Sequence, residues 1–228
     1  MGAKIPRWEE ALWSYLGHGD GNRCPLYEHC RIRKKCGWCV SEHIADMAQL
    51  LEDGKLNVAR HDFMGAEPLK LGRPFQLVER LAYKYLRKGK VHGPPTPIEL
   101  ISLLDAERAV EISTIPLKAH HGAIWGLKDR WIIQLRSRDP PAMRRHTLFH
   151  EAFHVLAHRS GSPVFRKMGI EVGYFNEWLA DYFAICILMP REWVKEKWVE
   201  VKDVNRMAES FNVPKLAMWM RLRQLGLV

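Results

Sequence analysis

The chain has 228 residues, 47% of them hydrophobic, and carries 35 Lys and Arg against 26 Asp and Glu, a formal charge of +9 at pH 7. This length suits one domain of ordinary size with a smaller appendage, and the composition suits a folded protein. No segment stays apolar for the roughly 18 residues a membrane span needs, and the opening Met1–Glu10 stretch has acids where a secretory leader needs an apolar run, so a cytoplasmic protein with no membrane partner is expected.

In chain order, Trp8 to Leu16 reads as an amphipathic helix closed by the turn-rich run 17–22. Cys24, Cys30, Cys36 and Cys39 come next, within sixteen residues, in a C-x5-C-x5-C-x2-C pattern. In a reducing compartment that density argues for metal rather than disulfides. Gly37 eases the tight turn of the Cys36–Cys39 half, while the Cys24–Cys30 half is looser. Two readings stay open for this second metal: a structural tetrathiolate zinc, and an iron–sulfur cluster of the 4Fe-4S kind. Arg23, Arg31, Arg33, Lys34 and Lys35 interleave the loop, where they can stabilise thiolates or make weak nucleic-acid contacts. No base-reading helix accompanies them.

Ser41 is placed as the cap of a helix running to about Glu52, with Ile44, Met47, Ala48 and Leu51 on its apolar face. The Gly- and Pro-bearing run 53–74 marks a boundary between an N-terminal helical module with the four-cysteine metal loop (1–70) and a second domain (71–228). Charge divides there too. Residues 1–70 hold ten Lys/Arg and ten Asp/Glu, whereas 71–228 hold 25 and 16.

In the second domain a helix is expected over Phe75–Arg87, then a capping box with Thr96 as N-cap, Pro97 and Glu99, opening a helix to about Arg108. Val110–Ile115, Ala123–Leu127 and Trp131–Leu135 read as strands of a small antiparallel sheet. Arg136, Arg138, Arg144 and Arg145 then cluster, either as a rim that favours an acidic substrate segment or nucleic acid, or as a solvated face.

The densest information lies in His150-Glu-Ala-Phe-His154, the HExxH spacing. Pro140 and Pro141 stop the element before it, and Leu148, Ala152, Val155 and Leu156 form a helical apolar stripe. On a helix His150 and His154 lie one turn apart on one face, so both imidazoles can reach one metal ion. Glu151 sits beside that face, where its carboxylate can take a proton from an attacking water. A catalytic zinc needs three protein ligands and an open position, and Asn176-Glu-Trp-Leu-Ala-Asp181 supplies the third. Glu177 is the expected ligand, Asp181 the carboxylate behind a ligand histidine, and Asn176 the N-cap of a helix that stops before Pro190. His158 lies about 12 Å along the axis from His150 and is read as a helix-end residue. Cys186, in the apolar helix, is read as packing.

His150–His158, then Glu177–Ala184 and Leu188-Met-Pro190, resemble the ImmA/IrrE family of zinc metallopeptidases. The closing segment is similar too, from Met207–Pro214 to Arg221–Gly226, so the resemblance spans about residues 75–228. It implies an α+β, mostly helical, thermolysin-like half-domain with a small mixed sheet packed on the HExxH helix. It also implies that the last strand or its neighbour pairs with an extended substrate. Relatives of this kind cut or otherwise inactivate helix-turn-helix repressors of mobile elements or stress responses. Such a repressor is the protein substrate expected here. Catalysis also calls for a donor to the developing oxyanion; Tyr174 is a candidate, as are His120 and His121, though Tyr174 also suits packing at a helix start. The competing reading is a non-proteolytic regulator that binds a repressor or nucleic acid through the same fold. The helical pair of 203–228, turning at Asn212–Pro214, serves either reading, because Met218, Trp219 and Met220 suit packing or protein binding better than groove reading.

Overall fold

The computed structural model describes residues 7–13, 73–118, 120–160 and 170–228. The four-cysteine loop, the expected Ser41–Glu52 helix and the boundary run up to residue 72 lie outside the described residues. The described part is α+β and mostly helical, with helices α1 (Arg7–Trp13), α2 (Arg73–Lys88), α3 (Pro141–Ser160), α4 (Ile170–Leu188), α5 (Arg191–Val201), α6 (Val204–Phe211) and α7 (Lys215–Gln224). Strands β1 (Ala109–Ile115), β2 (Gly122–Gly126) and β3 (Arg130–Arg136) form one sheet in the order β1-β3-β2.

The three strands fall where alternation places them, but the sheet is mixed rather than antiparallel. β3 pairs parallel with β1 and antiparallel with β2. The loop after β1 carries the chain across the sheet before the β2–β3 hairpin forms, and strand alternation carries no record of that crossing. Trp131, Ile133 and Leu135 alternate as the buried side of β3, and the sheet packs through β2 and β3 on α3. β3 is central, with both edges paired, so β1 and β2 are the edge strands.

α4 is the core of the helical layer. Every residue from Leu179 to Met189 is buried, as expected of a helix packed on more than one side. α2 and α3 both lie against it. Phe153 of α3 meets Phe183 of α4 at 5.7 Å between ring centroids and Trp13 of α1 at 5.8 Å, so α1 is buried in the same core.

Two local expectations give way to packing. The Thr96 hydroxyl does not cap a helix. It is fully buried and donates to the Ile187 carbonyl oxygen at 2.8 Å, and the segment after it is a short 3-10 helix, Ile98–Leu103, not a helix to Arg108. Tying Thr96 to α4 satisfies a buried hydroxyl that would otherwise be costly. Asn176 lies inside α4, which begins at Ile170, so it is not the N-cap. α5 was not anticipated; it opens straight after Pro190, which sits at its N-cap position. The closing pair is as expected: Asp203 caps α6 by accepting from the Arg206 amide, and Asn212 ends it in the left-handed region before Pro214.

Candidate metal centre

α3 and α4 build the site between them. Pro141 opens α3 at a position where its missing N–H is not needed, and the helix then presents His146, His150 and His154 at four-residue intervals along one side. α4 brings Glu177 and Asp181 to it, one turn apart on an otherwise apolar body. A carboxylate buried on such a helix needs a partner. Asp181, 8% exposed, has one in His150, whose Nδ1 lies 2.7 Å from its Oδ1.

That contact fixes the tautomer. In the neutral ring, with Nδ1 carrying the proton toward Asp181, Nε2 of His150 presents its lone pair on the opposite side; in the charged ring Nε2 carries a second proton, toward Glu177. There it lies 3.2 Å from Nε2 of His154 and 3.0 Å from Oε2 of Glu177, while His154 Nε2 lies 3.3 Å from Oε1 of Glu177. The three donor atoms thus lie close enough to one another to hold one metal ion. A tetrahedral zinc with bonds of about 2.0–2.1 Å would hold its donor atoms roughly 3.3–3.4 Å apart, close to the spacings observed. Among the described residues these three side chains form the group able to hold a metal ion.

The electrostatics agree. Burial pulls the His150 imidazole down, but the carboxylates of Asp181 and Glu177 outweigh it and hold His150 well above its ordinary value. Burial raises Glu177 in the same way, and the two histidines more than reverse it, holding its carboxyl well below the usual range. His150 and Glu177 thus keep opposite charges in a shared, partly buried site.

Glu151 is 8% exposed and turns toward β2. A β-carbon at Gly122 would lie 2.6 Å from its Oε1, so the carboxylate rests against the backbone of that edge strand. His121, just ahead of β2, has Nδ1 2.7 Å from Asp139 Oδ2, and Asp139 Oδ1 accepts from Arg136 Nε at 2.6 Å. This cluster ties the start of β2 to the loop that leads into α3.

Residues 106–223, just over half of the chain, match the family model described as the IrrE N-terminal-like domain, Peptidase_M78. The chain belongs to this family. A metallopeptidase-family domain therefore contains the site, and a metal is in keeping with its donor set. None of the curated proteins matches. Among solved structures, a Mycobacterium tuberculosis transcriptional regulator is similar in fold, with a TM-score of 0.50 and 13% identity over 88% of this chain. The chain spans about half of that protein, 52% of its length.

Within this IrrE-like domain, the residues expected at the metal, His150, His154 and Glu177, come together from two helices, with Asp181 behind His150. Tyr174 lies on α4, but its side chain is outside the described residues, as are Cys24, Cys30, Cys36 and Cys39. Cys186 is fully buried, and burial pushes its thiol up to about 12. His158 is exposed near the end of α3, its ring 6.0 Å from that of Trp131. The basic cluster is largely engaged locally: Arg136 with Asp139, Arg138 with the Lys118 carbonyl and Arg144 with the Ser137 carbonyl. Arg145 is half-buried, and two of its guanidinium nitrogens are buried without a hydrogen-bond partner.

Two residues escaped the sequence reading. His146 is 4% exposed with no hydrogen-bond partner for Nε2, and burial pushes it down to about 4, so it is neutral near pH 7. Its place one turn before His150 was a usable signal. Gly122 falls outside the expected Ala123–Leu127 strand, yet it is the first residue of β2.

No helix among the described residues is long and apolar enough to cross a membrane.

Proposed function

We propose that the chain is a zinc-dependent metalloendopeptidase that cleaves a helix-turn-helix transcriptional repressor in a mobile-element or stress-response circuit. The observation that carries the enzymatic part is the convergence of three acceptor atoms from His150, His154 and Glu177, with the buried Glu151 carboxylate one residue from His150. The repressor as substrate rests on the family resemblance in the motifs.

In this reading His150, His154 and Glu177 hold zinc, and Asp181 keeps His150 in the tautomer that offers Nε2. When bound, zinc supplies a Lewis acid that eases loss of a proton from water and polarises a carbonyl. The residues do the rest. Glu151 accepts the proton of the attacking water and returns it to the departing amide nitrogen. β2 is the strand suited to hold the substrate backbone, because β3 is already paired on both sides and β2 is the edge that meets Glu151. In this reading the substrate pairs with the neighbour of the last strand. Tyr174 keeps its candidacy as oxyanion donor. The four-cysteine loop remains assigned to a second metal, as tetrathiolate zinc or 4Fe-4S cluster.

The test combines elemental analysis with cleavage. The wild-type protein, purified without oxygen, should contain zinc, and Glu177→Ala should lose one equivalent. Glu151→Gln should keep its zinc while cleavage of a co-expressed repressor falls about 100-fold or more. Wild-type protein without zinc, or cleavage unchanged in Glu151→Gln, would remove the proposal.

A further inference from the structure

We infer that Gly122 is a positioning residue: the missing side chain there lets the β2 backbone act as the wall that holds the Glu151 carboxylate in place. The inference deepens the peptidase reading and rests on it for the role of Glu151.

Glycine weakens a strand interior, and where it occurs it often marks a close approach to the backbone. β2 starts at Gly122, paired with Leu135 of β3, and packs on α3. A β-carbon at Gly122 would lie 2.6 Å from Glu151 Oε1, 3.1 Å from Glu151 Cγ and 2.6 Å from Thr147 Cγ2. Gly122 has no positive φ, so its backbone would accept any L residue and the restriction is one of space.

The two neighbours yield differently. Thr147 is β-branched, 7% exposed and stiff at χ1. Glu151 ends in a carboxylate on a flexible stem. A methyl group at position 122 must displace both: the Thr147 methyl gives only by a small shift where β2 meets α3, while the carboxylate swings away freely, so the larger movement falls on a group that must meet a reacting proton within hydrogen-bond reach. Gly126, at the other end of β2, is an internal contrast. Its β-carbon would meet the Trp131 ring at 2.7 Å, so crowding there acts on the core face of the sheet and not on Glu151.

The first experiment is the crystal structure of Gly122→Ala. Glu151 in a different rotamer, with β2 and α3 moved by no more than the small shift that frees the Thr147 methyl, is the expected result. Glu151 unmoved, with the strand displaced instead, overturns the inference. The second is acetohydroxamic acid binding to the zinc-loaded protein by calorimetry, since the hydroxamate can donate to Glu151. Gly122→Ala should keep its zinc and lose affinity about tenfold or more, the worth of one charge-assisted hydrogen bond, while Gly126→Ala should not. Glu151→Asp should cost affinity in the wild-type background and nothing further beside Gly122→Ala; additive losses, or wild-type affinity in Gly122→Ala, overturn the inference. If Gly122→Ala does not fold, both experiments use Gly122→Ala/Thr147→Ser, which lacks the threonine methyl, and failure of that variant to fold also overturns it. The crystal structure is read without zinc, so a wild-type protein that binds none would remove the function proposed above and leave this test standing.

Discussion

Nδ1 of His150 lies 2.7 Å from Oδ1 of Asp181, across 31 residues of sequence and between two helices. This contact decides which imidazole nitrogen faces Glu177 and His154, and so whether the site presents a lone pair or a proton to a metal. Asp181→Ala should weaken zinc binding about 10–100-fold, with Asp181→Asn losing less because its amide oxygen can still accept. Competition with a chromophoric chelator measures both. Equal affinity in wild type and Asp181→Ala would mean that packing alone orients the ring.

The same carboxylates set a pH dependence. His150 is held well above its ordinary value, so zinc must displace a proton from it. Affinity should fall as pH falls below that raised pKa, by about tenfold per pH unit for this one proton. Without metal the sign reverses for stability. A raised folded-state pKa contributes stability that is complete below the unfolded value of about 6.5 and is lost as pH rises through the folded value. Chemical denaturation in the presence of a chelator should therefore show stability declining on the alkaline side, and Asp181→Ala should flatten that decline.

His146 acts in the adjoining window with the opposite sense. Burial pushes its pKa down to about 4, so the unfolded chain binds this proton more readily than the folded one. Its neutral form costs nothing above about 6.5, and stability falls as pH drops from there to about 4, by an amount on the order of 3 kcal/mol. His146→Phe should remove most of that acid-side slope. An unchanged slope in denaturation curves from pH 7 to pH 4 would show that other groups set it.

Far from the metal centre, Arg221 has a fully buried side chain that donates to Glu79 at 3.2 Å and to the Met189 carbonyl at 3.0 Å. Glu79 also holds Arg191 at 2.9 Å, joining α2 to α5 and α7. Glu79→Ala leaves a buried guanidinium short of its counter-charge and should cost about 3 kcal/mol. Arg221→Met should suppress much of that cost when combined with it, because the uncompensated charge is then gone. Additive losses in thermal or chemical unfolding would show that the pair is not coupled.

The sequence by itself determined the features that depend on near neighbours. His150 and His154 share a face because four residues make about one helical turn, Glu177 and Asp181 for the same reason, and the three strands were legible because alternation is a local property. Asp203 could cap α6 and Asn212 end it on information held within a few residues. Everything that needed to know which segment lies opposite was decided by tertiary structure. Thr96 looked like a cap and became a donor to Ile187; Asn176 looked like a helix start and was enclosed by α4, which begins six residues earlier. The strands did not reveal that β3 lies between its partners, nor that β2 runs against Glu151. Gly122 carries no side chain to advertise its part, and the pairing of His150 with Asp181 joins helices whose own patterns are complete without each other. Periodicity specifies which face a residue occupies; burial energy, acting once the chain is compact, selects what that face meets.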